Sequence, residues 1–78
     1  MENLNQSLIE AVKKGDEFLV GQLCELGADP NWRSNYFGFD TLFFAIQLSD
    51  LKVKERIVKI LKYFGKTMPK TKGWWLYV

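Results

Sequence analysis

Gly65-Lys66-Thr67 is the run in this 78-residue chain whose residue types come nearest to a phosphate-binding loop. That chemistry needs a second glycine five residues earlier, and position 60 is Ile60, inside a helix-patterned segment. A helix ending at Gly65 also presents carbonyl oxygens, which repel phosphate. Nucleotide binding is therefore not expected. The chain has no histidine, so it lacks the commonest general base and the commonest metal ligand. A lone cysteine without histidine cannot build a structural zinc site. Asp16, Glu17 and Asp29 fall at helix starts and turns, where they cap or punctuate, and no opposed carboxylate pair emerges. Cys24 lies on the apolar side of a helix pattern and reads as a small core residue rather than a reactive thiol. No catalytic residue, metal site or cofactor is expected, and the chain reads as non-enzymatic.

The residue types that remain are those that recognise surfaces. Trp32-Arg33-Ser34-Asn35-Tyr36-Phe37 places Trp, Arg and Tyr, the side chains enriched at binding hot spots, in a polar stretch. Trp32, Arg33, Asn35, Tyr36 and Phe37 are the expected protein-binding residues. The competing reading has Trp32 and Phe37 packing onto neighbouring helices. Charge is uneven along the chain. Residues 1–51 carry eight acids and three bases, and residues 52–78 carry eight bases and one acid, within a net charge of +2. The basic half offers Lys52, Lys54, Arg56, Lys59, Lys62 and Lys66 as an alternative contact for nucleic acid, because phosphates reward clustered lysine. Only Arg56 among them can make bidentate base contacts, and charges around an amphipathic helix commonly form a solvated face.

The elements that must position these residues follow from periodicity. Leu4, Leu8, Ala11 and Val12 form the stripe of a helix over Leu4–Lys14, stopped by Gly15. Asp16 is the expected cap of a second helix reaching about Leu26, with Leu19, Leu23 and Leu26 on its stripe, Phe18, Val20 and Cys24 beside it, and Gly27 at its end. Pro30 biases Asp29 toward extended backbone, and Trp32 to Phe39, punctuated by Asn35 and Gly38, reads as an extended loop or a short hairpin. Asp40 or Thr41 caps a third helix carrying Leu42, Phe43, Phe44, Ala45, Ile46 and Leu48, apolar nearly all round and so expected to be buried on several sides. Ser49 or Asp50 caps a fourth, over Leu51 to Phe64, with Val53, Ile57, Ile60, Leu61 and Phe64 on one stripe. Gly65 ends it and Pro69 blocks continuation.

Helix, turn, helix, glycine and loop then recur. Leu8 to Gly15 aligns with Leu42 to Ser49, placing small Ala11 and Ala45 at one position, and Leu19 to Gly27 aligns with Ile57 to Gly65. With Leu23-Cys24-Glu25-Leu26-Gly27-Ala28-Asp29-Pro30-Asn31 and Gly38-Phe39-Asp40-Thr41-Leu42-Phe43-Phe44-Ala45, the chain resembles the ankyrin repeat family. Gly27 and Gly65 stand 38 positions apart (65 minus 27). The family period is about 33. The excess falls near Phe37 and in the turn over residues 49–56. Asp40-Thr41 replaces the family's Thr-Pro and Phe43 its His, so the side-chain hydrogen bonds those residues make between repeats are expected to be absent or replaced.

The resemblance implies an all-α stack with a projecting loop and an apolar tail. It forms a single domain, 1–78, with repeat one at about 4–37, repeat two at about 38–72 and a capping tail at 73–78. It also implies a protein-binding module, such as an inhibitor, an immunity-type protein or an adaptor. Two repeats leave an open end, and the aromatic run Trp74-Trp75-Leu76-Tyr77-Val78 is expected to cover it. It would do so either by folding back, the favoured arrangement, or by joining two chains in a homodimer; Trp74 and Trp75 are also candidate partner contacts. The polar start, the single cysteine and the lack of a long apolar run predict no secretory leader, no membrane span and a reducing, cytoplasmic setting. Without secretion, the glycosylation pattern Asn5-Gln6-Ser7 carries no meaning.

Overall fold

The computed structural model of the chain describes residues 3–34 and 39–67. Among these residues four helices occur in order: α1 Leu4–Lys14, α2 Glu17–Glu25, α3 Thr41–Ala45 and α4 Leu51–Tyr63. No strand occurs among the described residues, and the fold is all-α. Each helix starts on a short side chain that satisfies first-turn amides. Asn3 Oδ1 accepts from the Asn5 amide at 2.9 Å, and Asp16 Oδ1 from the Leu19 amide at 3.1 Å. Asp40 Oδ1 accepts from the Phe43 amide at 3.1 Å, and Asp50 Oδ1 from the Lys52 amide at 3.0 Å.

The helix ends share one solution. After α1, the Gly15 amide bonds the Val12 carbonyl and the Asp16 amide bonds the Ala11 carbonyl, at 3.0 and 3.1 Å. The same pair of bonds closes α2 around Gly27 and α4 around Gly65. Gly15 carries the motif at φ 70, a left-handed geometry that a Cβ strains.

α1 packs on α2 and α3, and α4 packs on α2 and α3, so two helical hairpins stack side by side. The core between them holds Leu8, Val12, Val20, Ile57 and Leu61, all fully buried, with Ala11 and Ala45 where the helices approach closely. Burying a Leu or Ile fully contributes roughly 1.5–3 kcal/mol, so these few residues dominate the stability of so small a core.

Two expectations are corrected. The third helix stops at Ala45 rather than continuing toward Leu48. Gln47 and Leu48 donate to Phe44 and Ala45 in tightened turns, and Gln47 Nε2 donates to the Phe43 carbonyl at 3.0 Å. Asp50 must then sit in extended backbone to cap α4. The buried stripe of α2 is also rotated from the expected one: Val20, Leu23 and Cys24 face inward, whereas Leu26 and Phe18 are 68% and 82% exposed.

Candidate functional site

The connection between α2 and α3 is tied into both hairpins at its base. The Asp29 amide donates to Asn5 Oδ1 on α1 at 2.7 Å, and the Asp29 carboxylate turns the chain by accepting from the Asn31 amide at 2.8 Å. Thr41 Oγ1 donates to the Pro30 carbonyl at 2.8 Å, inside the protein. Asn31 reaches the second hairpin: its Nδ2 donates to the Gly65 carbonyl at 3.1 Å, and its Oδ1 accepts from the Thr67 amide at 3.0 Å and from Lys66 Nζ at 3.2 Å. Side-chain bonds between the two hairpins are thus present, carried by Asn31 and Thr41.

Above this base, the Ser34 amide donates to the Phe39 carbonyl at 3.0 Å and closes the ends of the loop tip. Phe39 stacks on Phe43 with 3.8 Å between ring centroids, and Phe44 meets Phe43 edge-on at 5.1 Å. Lys13 Nζ lies 4.8 Å over the Phe44 ring, which fastens α1 to the same aromatic group. Arg33 is exposed and Trp32 half-buried, so Arg33 stands on the surface and Trp32 divides itself between surface and packing. Asn35, Tyr36, Phe37, Trp74 and Trp75, with the capping tail 73–78, lie outside the described residues.

The basic run divides. Lys52, Arg56, Lys59 and Lys62 are exposed on α4. Lys66 is only 8% exposed, and its ammonium pairs with Asp40 Oδ2 at 2.9 Å, so its place in a phosphate-contacting surface is corrected. Lys54 is likewise 8% exposed, because it falls on the inward arc of α4 with Val58 and Leu61, and it too leaves that surface. Burial pushes the Asp40 carboxyl up, but the Lys66 hydrogen bond, the Phe43 amide and the Lys66 and Arg33 charges outweigh it and hold Asp40 below the usual carboxylate range. Cys24 is buried, and desolvation raises its thiol.

A second feature lies on the outer layer formed by α2 and α4. Glu17, Phe18, Arg56 and Ile60 line a shallow groove of about 320 Å³. Arg56 Nη1 bonds Glu17 Oε1 across it at 3.3 Å. Tyr63, one turn beyond Ile60, is 83% exposed. Sequence reading missed Phe18 and Tyr63 as surface aromatics, although both fall off the inward arcs of their helices at 100° per residue.

Among the described residues, no group of three or more Cys, Asp or Glu side chains could hold a metal ion, and no helix is long and apolar enough to cross a membrane. Comparison with family models, with curated proteins and with solved structures returns no significant match.

Proposed function

We propose that this chain is an ankyrin-like protein-binding module without a chemical step of its own. It holds a partner protein through the loop 32–37 and the helix face beside it, as an inhibitor, immunity-type protein or adaptor does. The observation that carries the reading is the tethered loop base. Asn5, Asn31 and Thr41 fix the loop to both hairpins, and the Ser34–Phe39 bond gathers its tip. Loop ends fixed before the partner arrives leave less chain to order on binding, which is how a small surface attains useful affinity. The side-by-side hairpins and the repeated glycine-centred helix ends support the ankyrin likeness. The buried, unpaired thiol of Cys24 suits a reducing, cytoplasmic compartment.

The nucleic-acid alternative draws on four exposed bases of α4, with Lys54 and Lys66 withdrawn and the acids Glu17 and Glu25 on the adjacent helix. That is a weaker footprint than phosphate contacts require.

The test is capture of partners on the immobilised full chain, compared with an Arg33→Ala, Tyr36→Ala variant that retains helical circular dichroism and melting temperature. Proteins bound by the parent and released by the variant support the reading. Retention of every captured protein by the variant removes the loop as the site. Binding of labelled RNA or DNA in low salt, abolished by neutralising Lys52, Lys59 and Lys62, assigns the alternative.

A further inference from the structure

The α2–α4 face is separate from the loop, and its two walls carry opposite charge. α2, Glu17–Glu25, has two acids and no base, whereas exposed α4 positions supply Lys52, Arg56, Lys59 and Lys62 against Glu55. Within one chain a single pair, Glu17–Arg56, joins the walls. Among the described residues Glu25, Lys52, Lys59 and Lys62 have no ion-pair partner. Phe18 and half-buried Ile60 line the groove between the walls, and Tyr63 stands one turn beyond Ile60 on α4; Phe18 and Tyr63 are each more than four-fifths exposed. Large exposed aromatic side chains beside a groove with apolar and charged walls are the composition of an interface patch.

The arrangement of charge selects the occupant. A uniformly anionic ligand is drawn to the α4 wall and repelled by the α2 wall. The surface that matches both walls is the same surface turned over by a twofold axis running along the helices, which lays α2 of one copy on α4 of the other. The two helices run in the same direction. Val53, at the start of α4, would be met at 3.4 Å by a Cβ on Gly15 just before α2, and Asn31, beyond α2, bonds Gly65 just beyond α4. With Glu17 level with Arg56, Glu25, eight residues on, stands level with Phe64 at the end of α4, within one turn of Lys62. We propose that this face is the interface of an isologous dimer, in which Phe18, Ile60 and Tyr63 of two copies pack together and Glu25 of each copy faces Lys62 of the other.

The test uses the full chain in sedimentation equilibrium over a wide concentration range. Glu25→Lys and Lys62→Glu each place like charges opposite one another twice per dimer, and each weakens self-association at least about tenfold. The decisive sample is an equimolar mixture of the two variants, whose mixed dimer contains both oppositely charged pairs again; it dimerises like the parent. Phe18→Ala with Tyr63→Ala gives a folded monomer. A parent that stays monomeric at every concentration overturns the proposal, whether the face is covered by residues 68–78 or by another ligand. A parent that dimerises while both single reversals and their mixture behave alike overturns it too, because the contact is then elsewhere. Retention of a single-stranded oligonucleotide by the parent monomer, lost in Tyr63→Ala, likewise overturns it and gives the face to nucleic acid.

Discussion

Lys66 Nζ lies 2.9 Å from Asp40 Oδ2, and this ion pair closes the second hairpin across its own loop. The Lys66 side chain is 7% and the Asp40 side chain 19% exposed, so water screens the pair weakly. Asp40 simultaneously caps α3 through the Phe43 amide. One carboxylate therefore holds the start of the hairpin to its end.

Removing the cation should be costly for that reason. Lys66→Met leaves part-buried Asp40 with only the Arg33 charge, and the expected loss is about 2–3 kcal/mol in urea unfolding, at or just below the range for fully buried pairs. Asp40→Asn keeps an acceptor for the Phe43 amide and should lie closer to the parent than Asp40→Ala, which loses the cap as well, worth roughly 1 kcal/mol.

The same carboxylate sets an acid limb. Its folded-state pKa lies below the unfolded value. Its contribution to stability is therefore fully present above the unfolded Asp value of about 4 and is lost as pH falls through the folded value. Melting temperature should drop on acidification below about pH 4, and less so in Asp40→Asn. An identical acid limb in that variant would refute the assignment. Cys24 acts at the other extreme. Its raised folded pKa means the unfolded chain releases the thiol proton first, so stability declines as pH climbs past the unfolded thiol value, and Cys24→Ala should flatten that decline.

Asn31 bridges the two hairpins with both polar atoms of its side-chain amide. Asn31→Ala removes the bonds to the Gly65 carbonyl and the Thr67 amide, at roughly 1 kcal/mol each or less, because both groups are exposed and water can replace the partner. Asn31→Asp keeps the acceptor but sets a carboxylate against the Gly65 carbonyl, and should fall between alanine and the parent. Equal stability of all three would show that the bridge contributes nothing.

Two glycines should respond in opposite directions to alanine. Gly15 has φ 70 and would bring a Cβ to 3.4 Å from Val53, so Gly15→Ala should cost about 1–2 kcal/mol. Gly21 lies inside α2 with open space around an added Cβ, and Gly21→Ala should stabilise by roughly 0.5–1 kcal/mol. Thermal melts of the two variants give the comparison directly.

The helices were legible because caps and stops are local. Asp16, Asp40 and Asp50 are expected caps, and each accepts from an amide two or three residues on, while glycine after α1, α2 and α4 marks their ends; Asn3 caps α1 in the same way but is not among the expected caps. Burial was less legible where faces depend on a distant neighbour. Leu26 and Phe18 are apolar yet exposed, because α4 covers another side of α2. Lys66 belongs to a run of bases in sequence, but folding delivers it to Asp40, a pairing no local pattern encodes. The bridge from Asn31 spans 34 residues to Gly65 and is equally silent in composition.

The Ser34–Phe39 bond has a consequence for how the chain can change. It gathers the two ends of the tip, and the supports beneath it come from Asn5, Pro30, Asn31, Thr41 and Lys66. None of those supports belongs to residues 35–38. New sequence inserted between Ser34 and Phe39 adds only a slowly growing closure entropy, about 0.6 kcal/mol per doubling of length. A library that varies residues 35–38 therefore removes none of these bonds, and it can change what the loop meets without dismantling the base on which it stands.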